Sequence, residues 1–291
     1  MHKPKVFVAG PVSWNRLVLL DRLPQARPHT TFATGHRVTV GGTSAGKALN
    51  LASLGARVTL RTVVGDDEAG RSVLDVLDRA GVEVIAEVVD TATEQHLNLM
   101  DLHGGRVSIY LELPRLRQAE HDDRALAALA SADAAVIDLA NHARPLLGAA
   151  RDAGVPVWCD VHDYDGVAEF HRDFLDAADR VFLNDDAFKD DAFKDEHSAD
   201  RDALITFLRS LGKPAVATLG ADGALALVDG TVHRVPAVPV EEIVDTNGAG
   251  DAFFSGFLVA HLAGADVPAA MAAGARQAAL CLGSAGLAPE L

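Results

Sequence analysis

Short apolar runs of strand length alternate along this chain with longer stretches of helical period. Residues 5–9 form an apolar strand that ends at Gly10-Pro11, and a turn at a strand's carboxyl end is where α/β proteins place ligands. Residues 17–20 and 31–40 alternate in strand fashion on either side of a loop holding Pro24 and Pro28. The pattern then predicts a helix over 45–54, a strand over 57–64 and a helix over 68–80 closed by Gly81. Residues 96–100 and 107–113 flank His103-Gly104-Gly105, which predicts a hairpin. Further on, helices are predicted at 122–130, 145–153 and 200–211, and strands at 134–139, 157–160, 180–183 and 215–218. Residues 224–228 and 231–235 make a hairpin around Asp229-Gly230, followed by helices at 252–263 and 269–283. Strands joined by crossover helices give an α/β fold with a doubly wound, mostly parallel sheet and helices on both faces. The early strands and the 96–113 hairpin interrupt this order. Their alternation gives them one apolar face, which would be exposed if they stood alone. The stretch Asp-Ala-Phe-Lys-Asp occurs twice in tandem, at 186–190 and 191–195, and reads as a polar surface segment.

Composition narrows the class. A chain of 291 residues with 49% hydrophobic residues can bury a large core. A formal net charge of −15 without an offsetting basic run argues against nucleic acid or an anionic membrane as partner. Cys159 and Cys281 lie in apolar contexts and read as buried free thiols in a reducing cytoplasm. Lys3 and Lys5 lead straight into the first strand, so no signal peptide is expected, and no apolar run approaches a membrane span.

Candidate chemistry concentrates at 244–257. Gly248, Ala249 and Gly250 stand between Asp245 and Asp251 and lead into a helix. Small residues let consecutive backbone N–H groups converge, and a helix N-terminus adds roughly half a positive charge, which together make a phosphate hole. Asp251, in the helix's first turn, would stay ionised beside those amides and accept a proton from an attacking hydroxyl. Phosphoryl transfer to an alcohol needs this pairing of anion cradle and base; a capped helix start behind a Gly-rich turn would look the same in sequence. Thr218-Leu219-Gly220-Ala221-Asp222-Gly223 follows an apolar strand, so amides around Gly220 and Gly223 can meet nucleotide phosphates and ribose. Gly41-Gly42 either donates amides to sugar hydroxyls or is a plain strand-to-helix turn. Asp160-Val161-His162-Asp163 follows another strand at the same edge; its carboxylates are placed to face the cleft, with a cap or loop role the favoured expectation.

The run Asp245-Thr246-Asn247-Gly248-Ala249-Gly250-Asp251-Ala252-Phe253 resembles the C-terminal signature of the ribokinase-like (PfkB) sugar and nucleoside kinases. Residues 41–55, Val64-Gly65-Asp66-Asp67-Glu68-Ala69-Gly70 and the 218–223 run resemble three more of that family's motifs, in family order across almost the whole chain. The resemblance implies one kinase domain over 1–291, with a β-sheet lid drawn from about 12–42 and 95–114. It implies ATP-dependent phosphorylation of a hydroxyl on a free sugar or sugar-like molecule. A nucleoside kinase, or a non-catalytic sugar- or nucleotide-binding protein of the same fold, are the alternatives. Asp251 is then the base, and the amides of Gly248, Ala249 and Gly250 stabilise the moving phosphoryl group. Asn184, Thr218, Gly220, Asp222 and Gly223 face ATP; Ser13, Asn15, Gly41, Gly42, Lys47 and Asp251 face the acceptor. Mg²⁺ bridges the phosphates, Asp245 and Asn247 border a possible K⁺ site, and a homodimer forms through the lid.

The chain departs from the family pattern at three places. Gly46-Lys47 replaces a substrate-binding Asn, whose contact is lost or taken over by Lys47; a lysine there is otherwise a solvated surface residue. Ser13 and Asn15 stand where sugar kinases hold an Asn and an Asp, so a negative charge is gone; both residues also suit ST- or Asx-turns. Ala187 replaces the Glu of an Asn-x-x-Glu element begun by Asn184, leaving Asp185 or Asp186 to substitute, or Mg²⁺ to be held by phosphate and water. With only Arg16 and Lys47 as nearby cations, the pocket residues predict a small, neutral or weakly charged acceptor rather than a sugar phosphate.

Overall fold

The structure is a computed structural model that describes residues 3–101, 105–116, 123–162, 164, 166–188 and 201–289. Its first half contains β1 (Lys5–Ala9), β2 (Ser13–Leu20), β3 (Gly35–Gly41), α1 (Thr43–Ser53), β4 (Arg57–Gly65), α2 (Glu68–Arg79), β5 (Glu83–Val89), β6 (Gln95–Asp101) and β7 (Arg106–Glu112). Then come α3 (Asp123–Ala130), β8 (Ala134–Ile137), α4 (Pro145–Ala153), β9 (Val157–Asp160), α5 (Arg172–Ala177) and β10 (Arg180–Asn184). Last are α6 (Arg201–Ser210), β11 (Ala215–Thr218), β12 (Ala224–Val228), β13 (Thr231–Val235), α7 (Ala249–Leu262) and α8 (Val267–Leu282).

The main sheet has nine strands in the order β13-β12-β11-β10-β9-β8-β1-β4-β5. Every neighbouring pair from β11 to β5 is parallel, while β12 is antiparallel to both of its partners. β1 is buried on both faces because its side chains alternate: Val6 and Val8 join one core, Phe7 and Ala9 the other. The first core holds Trp158, Phe182, Phe254 and Phe257, the second Ile137, Cys159, Phe174 and Leu208. Strand order reverses beside β1, which pairs with β4 on one side and β8 on the other. A crevice opens outside the carboxyl ends of the strands at such a switch point.

The expected second sheet is present, with the order β3-β2-β6-β7. Its register puts Asn15 opposite Thr39, Leu17 opposite Asn98, Asn98 opposite Ser108 and His96 opposite Tyr110, and these residues turn toward the crevice. Rows of Arg16, Val38, Leu97 and Ile109, and of Val18, Leu99 and Val107, occupy the opposite face. Val38, Val107 and Ile109 are exposed there.

Some sequence expectations shift. Residues 31–34 are not strand, because β2 pairs with β3 only as far as Leu19 opposite Gly35. β5, which the pattern did not reveal, is the outermost strand beside β4 and mixes Glu with Val. The short helix α5 was also not visible in the pattern, and α7 starts earlier than expected, at Ala249. The turn residues 102–104, Asp163 and the repeat beyond 188 lie outside the described residues. Among the described residues no helix is long and apolar enough to cross a membrane. Both cysteines are buried free thiols, as expected.

Trp158 is 2% exposed and packs its ring against Phe182, Phe254, Phe257 and His261. Replacing it with alanine removes the largest filler between sheet and α7. Trp158→Ala is expected to destabilise the fold by about 3–5 kcal/mol, read as a lowered urea midpoint; an unchanged midpoint would contradict this packing.

Candidate active site

The carboxyl edge of the main sheet and the inward face of the small sheet enclose a cavity of about 930 Å³. Asn15, Gly41 and Gly42 line it from the small-sheet side, and Asn184, Thr218 and Gly220 from the ends of β10 and β11. Gly248, Gly250 and Asp251 line it from the start of α7.

The loop into α7 is built by side-chain to backbone bonds. Asp245 Oδ1 accepts from Asn247 N at 2.9 Å and from Asn247 Nδ2 at 2.7 Å, which folds the chain back on itself ahead of the helix. Gly248 follows with φ +80°, and a Cβ there would lie 2.9 Å from the Leu287 carbonyl oxygen. Only glycine takes that left-handed conformation without strain in so tight a place. The first-turn N–H groups of α7 are left free of helical partners and point outward. Around Gly250, no protein atom lies within 4 Å of an added Cβ, so this residue opens directly on the cavity.

Asp251, one residue on, meets Lys47. The Lys47 ammonium is fully buried, 2.8 Å from Asp251 Oδ1, 3.2 Å from Asp138 Oδ1 and 3.2 Å from Asp160 Oδ2. It also lies over the Phe254 ring, 5.2 Å from its centre. Asp138 and Asp160 stand at the carboxyl ends of β8 and β9, so the parallel sheet delivers both carboxylates to one edge. Asp138 Oδ2 accepts from Ser44 Oγ at 2.7 Å, and Asp160 Oδ1 pairs with His162 Nδ1 at 3.3 Å. Burial alone would lower the Lys47 pKa, but the three carboxylates hold it well above the ordinary lysine value. Burial pushes Asp251 up to about 6; Lys47 opposes this, and the charges of Asp160 and Asp138 add to it. Asp160 stays well below the carboxylate range despite burial, because Lys47 and His162 flank it. Burial opposes protonation of His162, yet its pairing with Asp160 raises it.

The expected site residues divide. Asn15, Gly41, Gly42, Asn184, Thr218, Gly220, Asp245, Asn247, Gly248, Gly250 and Asp251 all border one cavity. Ala249, Asp222 and Gly223 are outside its lining, and Asp222 instead pairs with Arg201 at 2.5 Å. Ser13 is fully buried and does not reach the cavity either; a Cβ on Gly41 would touch its hydroxyl, so it packs beneath that residue. Lys47 is neither on the surface nor in the lining, because three carboxylates hold it inside. Gly46 is explained by the same cluster: an added Cβ would lie 2.4 Å from Asp251 Oδ2. Arg16 sits on the outward face of the small sheet. Asp245 Oδ2 is ion-paired with Arg37, and Arg106 Nη1 donates to Asn247 Oδ1 at 3.3 Å. Asp245 thus carries a guanidinium on one oxygen and two N–H donors on the other. Sequence reading missed Asp138, Arg37 and Arg106. For Asp138 the available signal was a carboxylate directly after an apolar strand; the two arginines looked like ordinary polar positions of alternating strands.

Known proteins share this chain's sequence pattern and fold. The pattern of the pfkB family carbohydrate kinases matches residues 15–291. An acarbose 7(IV)-phosphotransferase from Actinoplanes sp. is 32% identical over 267 residues, covering 89% of this chain and 85% of that protein. Among solved structures, a microbiome-derived acarbose kinase superposes with a TM-score of 0.81 at 27% identity, covering 99% of this chain and 96% of its own. Arabidopsis thaliana ribokinase complexed with ribose and ATP also superposes with a TM-score of 0.81, at 22% identity, covering 99% and 96% of the two chains; that likeness shows the shared fold. The chain belongs to the pfkB family of carbohydrate kinases.

Proposed function

We propose that the protein transfers the γ-phosphoryl group of ATP to a hydroxyl of a free sugar or sugar-like acceptor. The observation that carries this reading is Asp251, which stands in the first turn of α7 beside the Gly248 turn and opens on the cavity that Asn184, Thr218 and Gly220 also line. Asp251 takes the proton of the acceptor hydroxyl as its oxygen bonds to the γ-phosphorus. The bond from that phosphorus to the bridging oxygen breaks, and ADP leaves. Backbone N–H groups at Gly248, Ala249 and Gly250 are the preorganised donors for the charge on the moving phosphoryl group. Asn184, Asp185 and Asp186, at the end of β10, are the oxygen-bearing residues suited to a hydrated Mg²⁺, which when bound neutralises phosphate charge. The two small-residue loops at Gly220 and Gly248 border the nucleotide side.

On the acceptor side, the inward face of the small sheet offers hydroxyl and amide groups from Asn15, Thr39, Asn98 and Ser108. Tyr110 adds an aromatic face, its ring 3.9 Å from that of His96, which is itself bonded to Glu94 at 2.8 Å. Polar groups beside a flat ring suit a neutral, hydroxyl-rich ring compound. Arg106 is the one Lys or Arg among the described residues that line the cavity, and Arg37 on the same face is paired with Asp245, fewer free cations than a sugar phosphate calls for. Acarbose-type pseudo-oligosaccharides and monosaccharides therefore head the panel of acceptors to assay with ATP, with nucleosides and sugar phosphates as contrasts. A sugar phosphate far better than any free sugar would overturn this reading of the pocket. We place the whole chain in one cytoplasmic kinase domain with the small sheet as lid.

Three expectations follow from this site. Asp251→Asn should leave ATP affinity nearly unchanged but lower kcat by at least ~10²-fold; near wild-type turnover would remove Asp251 from the chemistry. Gly250→Val has room in the protein itself, so its melting behaviour should match wild type while turnover collapses because the side chain fills the phosphate's approach; full activity would place the phosphate elsewhere. The exposed Val38, Val107 and Ile109 on the outer face of the lid fit burial against a second copy of the lid. Solution scattering at micromolar concentration should report a dimer, and a clean monomer counts against that interface.

A further inference from the structure

One buried ammonium serves three carboxylates at the head of the cavity. Lys47 Nζ is 2.8 Å from Asp251, 3.2 Å from Asp138 and 3.2 Å from Asp160, yet neither Lys47 nor Asp138 lines the space where an acceptor would sit. We propose that Lys47 is a positioning residue: it is the countercharge that keeps Asp251 ionised and fixed toward the cavity, and Asp138 and Asp160 compete with Asp251 for it. The proposal rests on the kinase reading of Asp251 and adds to it a device that sets how strong a base that residue is.

The geometry separates this role from two others. A lysine that bound the acceptor would have to reach the cavity, and this side chain has no exposed surface. A lysine acting as the base itself would need a depressed pKa, whereas Lys47 is held well above its ordinary value and keeps its proton. Its nearest partner is the Oδ1 of Asp251, so one carboxylate oxygen is pinned by the ammonium. The groups facing the cluster are Ser44 and Lys47 from α1, Asp138 after β8, Cys159, Asp160 and His162 around the end of β9, Asp251 from α7 and Cys281 from α8. Both thiols are held neutral by burial, Cys281 up to about 12, so the charge balance is decided by the lysine, the histidine and the three aspartates. The effects on Asp251 have opposite signs: Lys47 favours its ionised form, while Asp160 and Asp138 favour its protonated form. Removing Lys47 must therefore raise the pH at which Asp251 becomes a usable base. Removing Asp138 or Asp160 must lower it.

The test is the pH dependence of kcat/KM for an accepted sugar in wild type, Lys47→Met, Asp138→Asn and Asp160→Asn, alongside a ¹³C-carboxyl NMR titration of Asp251 in each. Wild type should lose activity as pH falls through about 6. The acid limb should move up by a pH unit or more in Lys47→Met and down in both asparagine variants, and the Asp251 titration should move with it. An unmoved limb, or movement in the same direction in all variants, overturns the proposal, because loss of packing alone lowers rates without shifting the limb. Should Lys47→Met fail to fold, the downward shift in Asp138→Asn and Asp160→Asn decides the matter. If wild type phosphorylates no sugar, the kinase reading fails, while the NMR titration still tests the cluster.

Discussion

The buried Lys47 ammonium is the point on which the rest of the site is hung. A charge taken out of water is costly unless it is paired, and breaking a buried pair costs about 3–5 kcal/mol. Here the pairing draws together α1, the ends of β8 and β9, and the first turn of α7. None of these elements can shift without leaving a carboxylate or the ammonium unmatched inside the protein. The excess of carboxylate over lysine is not an optimum for stability. It leaves one group, Asp251, with a pKa pushed up to about 6, and such violations of the usual burial rules concentrate at functional sites.

Much of this protein was legible in its sequence because the relevant signals are local. Apolar runs of strand length separated by helical stretches gave the parallel sheet, and Asp229-Gly230 gave the closing hairpin with both residues at positive φ. The Gly248 turn and Asp251 lie within four residues of each other, so their chemistry could be read as a motif. The charge cluster could not. Its members at 47, 138, 160 and 251 are separated by up to 204 residues and meet only through strand order. The one local hint was that Lys47 is the sole charged residue between Arg37 and Arg57. β5 escaped notice for a different reason: the outermost strand is only partly covered, and its Glu and Val positions do not separate into a buried and an exposed face.

The small sheet is tied to the loop ahead of α7 by charge and by side-chain hydrogen bonds. Arg37 on β3 pairs with Asp245, and Arg106 on β7 reaches Asn247. Asp245 is also the residue that folds the loop ahead of Gly248. A guanidinium has a fixed planar fork and a permanent charge, so these two arginines join the small sheet to the loop ahead of α7 through directional bonds. Movement of one sheet relative to the other would be felt first in the loop that leads into α7.

Gly46 gives the cluster its room. Its missing side chain is the space into which the Asp251 carboxylate leans, since an added Cβ would come within 2.4 Å of Oδ2. An asparagine introduced there alone would push the carboxylate out of its place beside Lys47, and a change at Lys47 alone would strand three acids. Neither single step is neutral. Positions 46 and 47 are thus coupled through Asp251, so the space left at one and the charge at the other act on the same carboxylate.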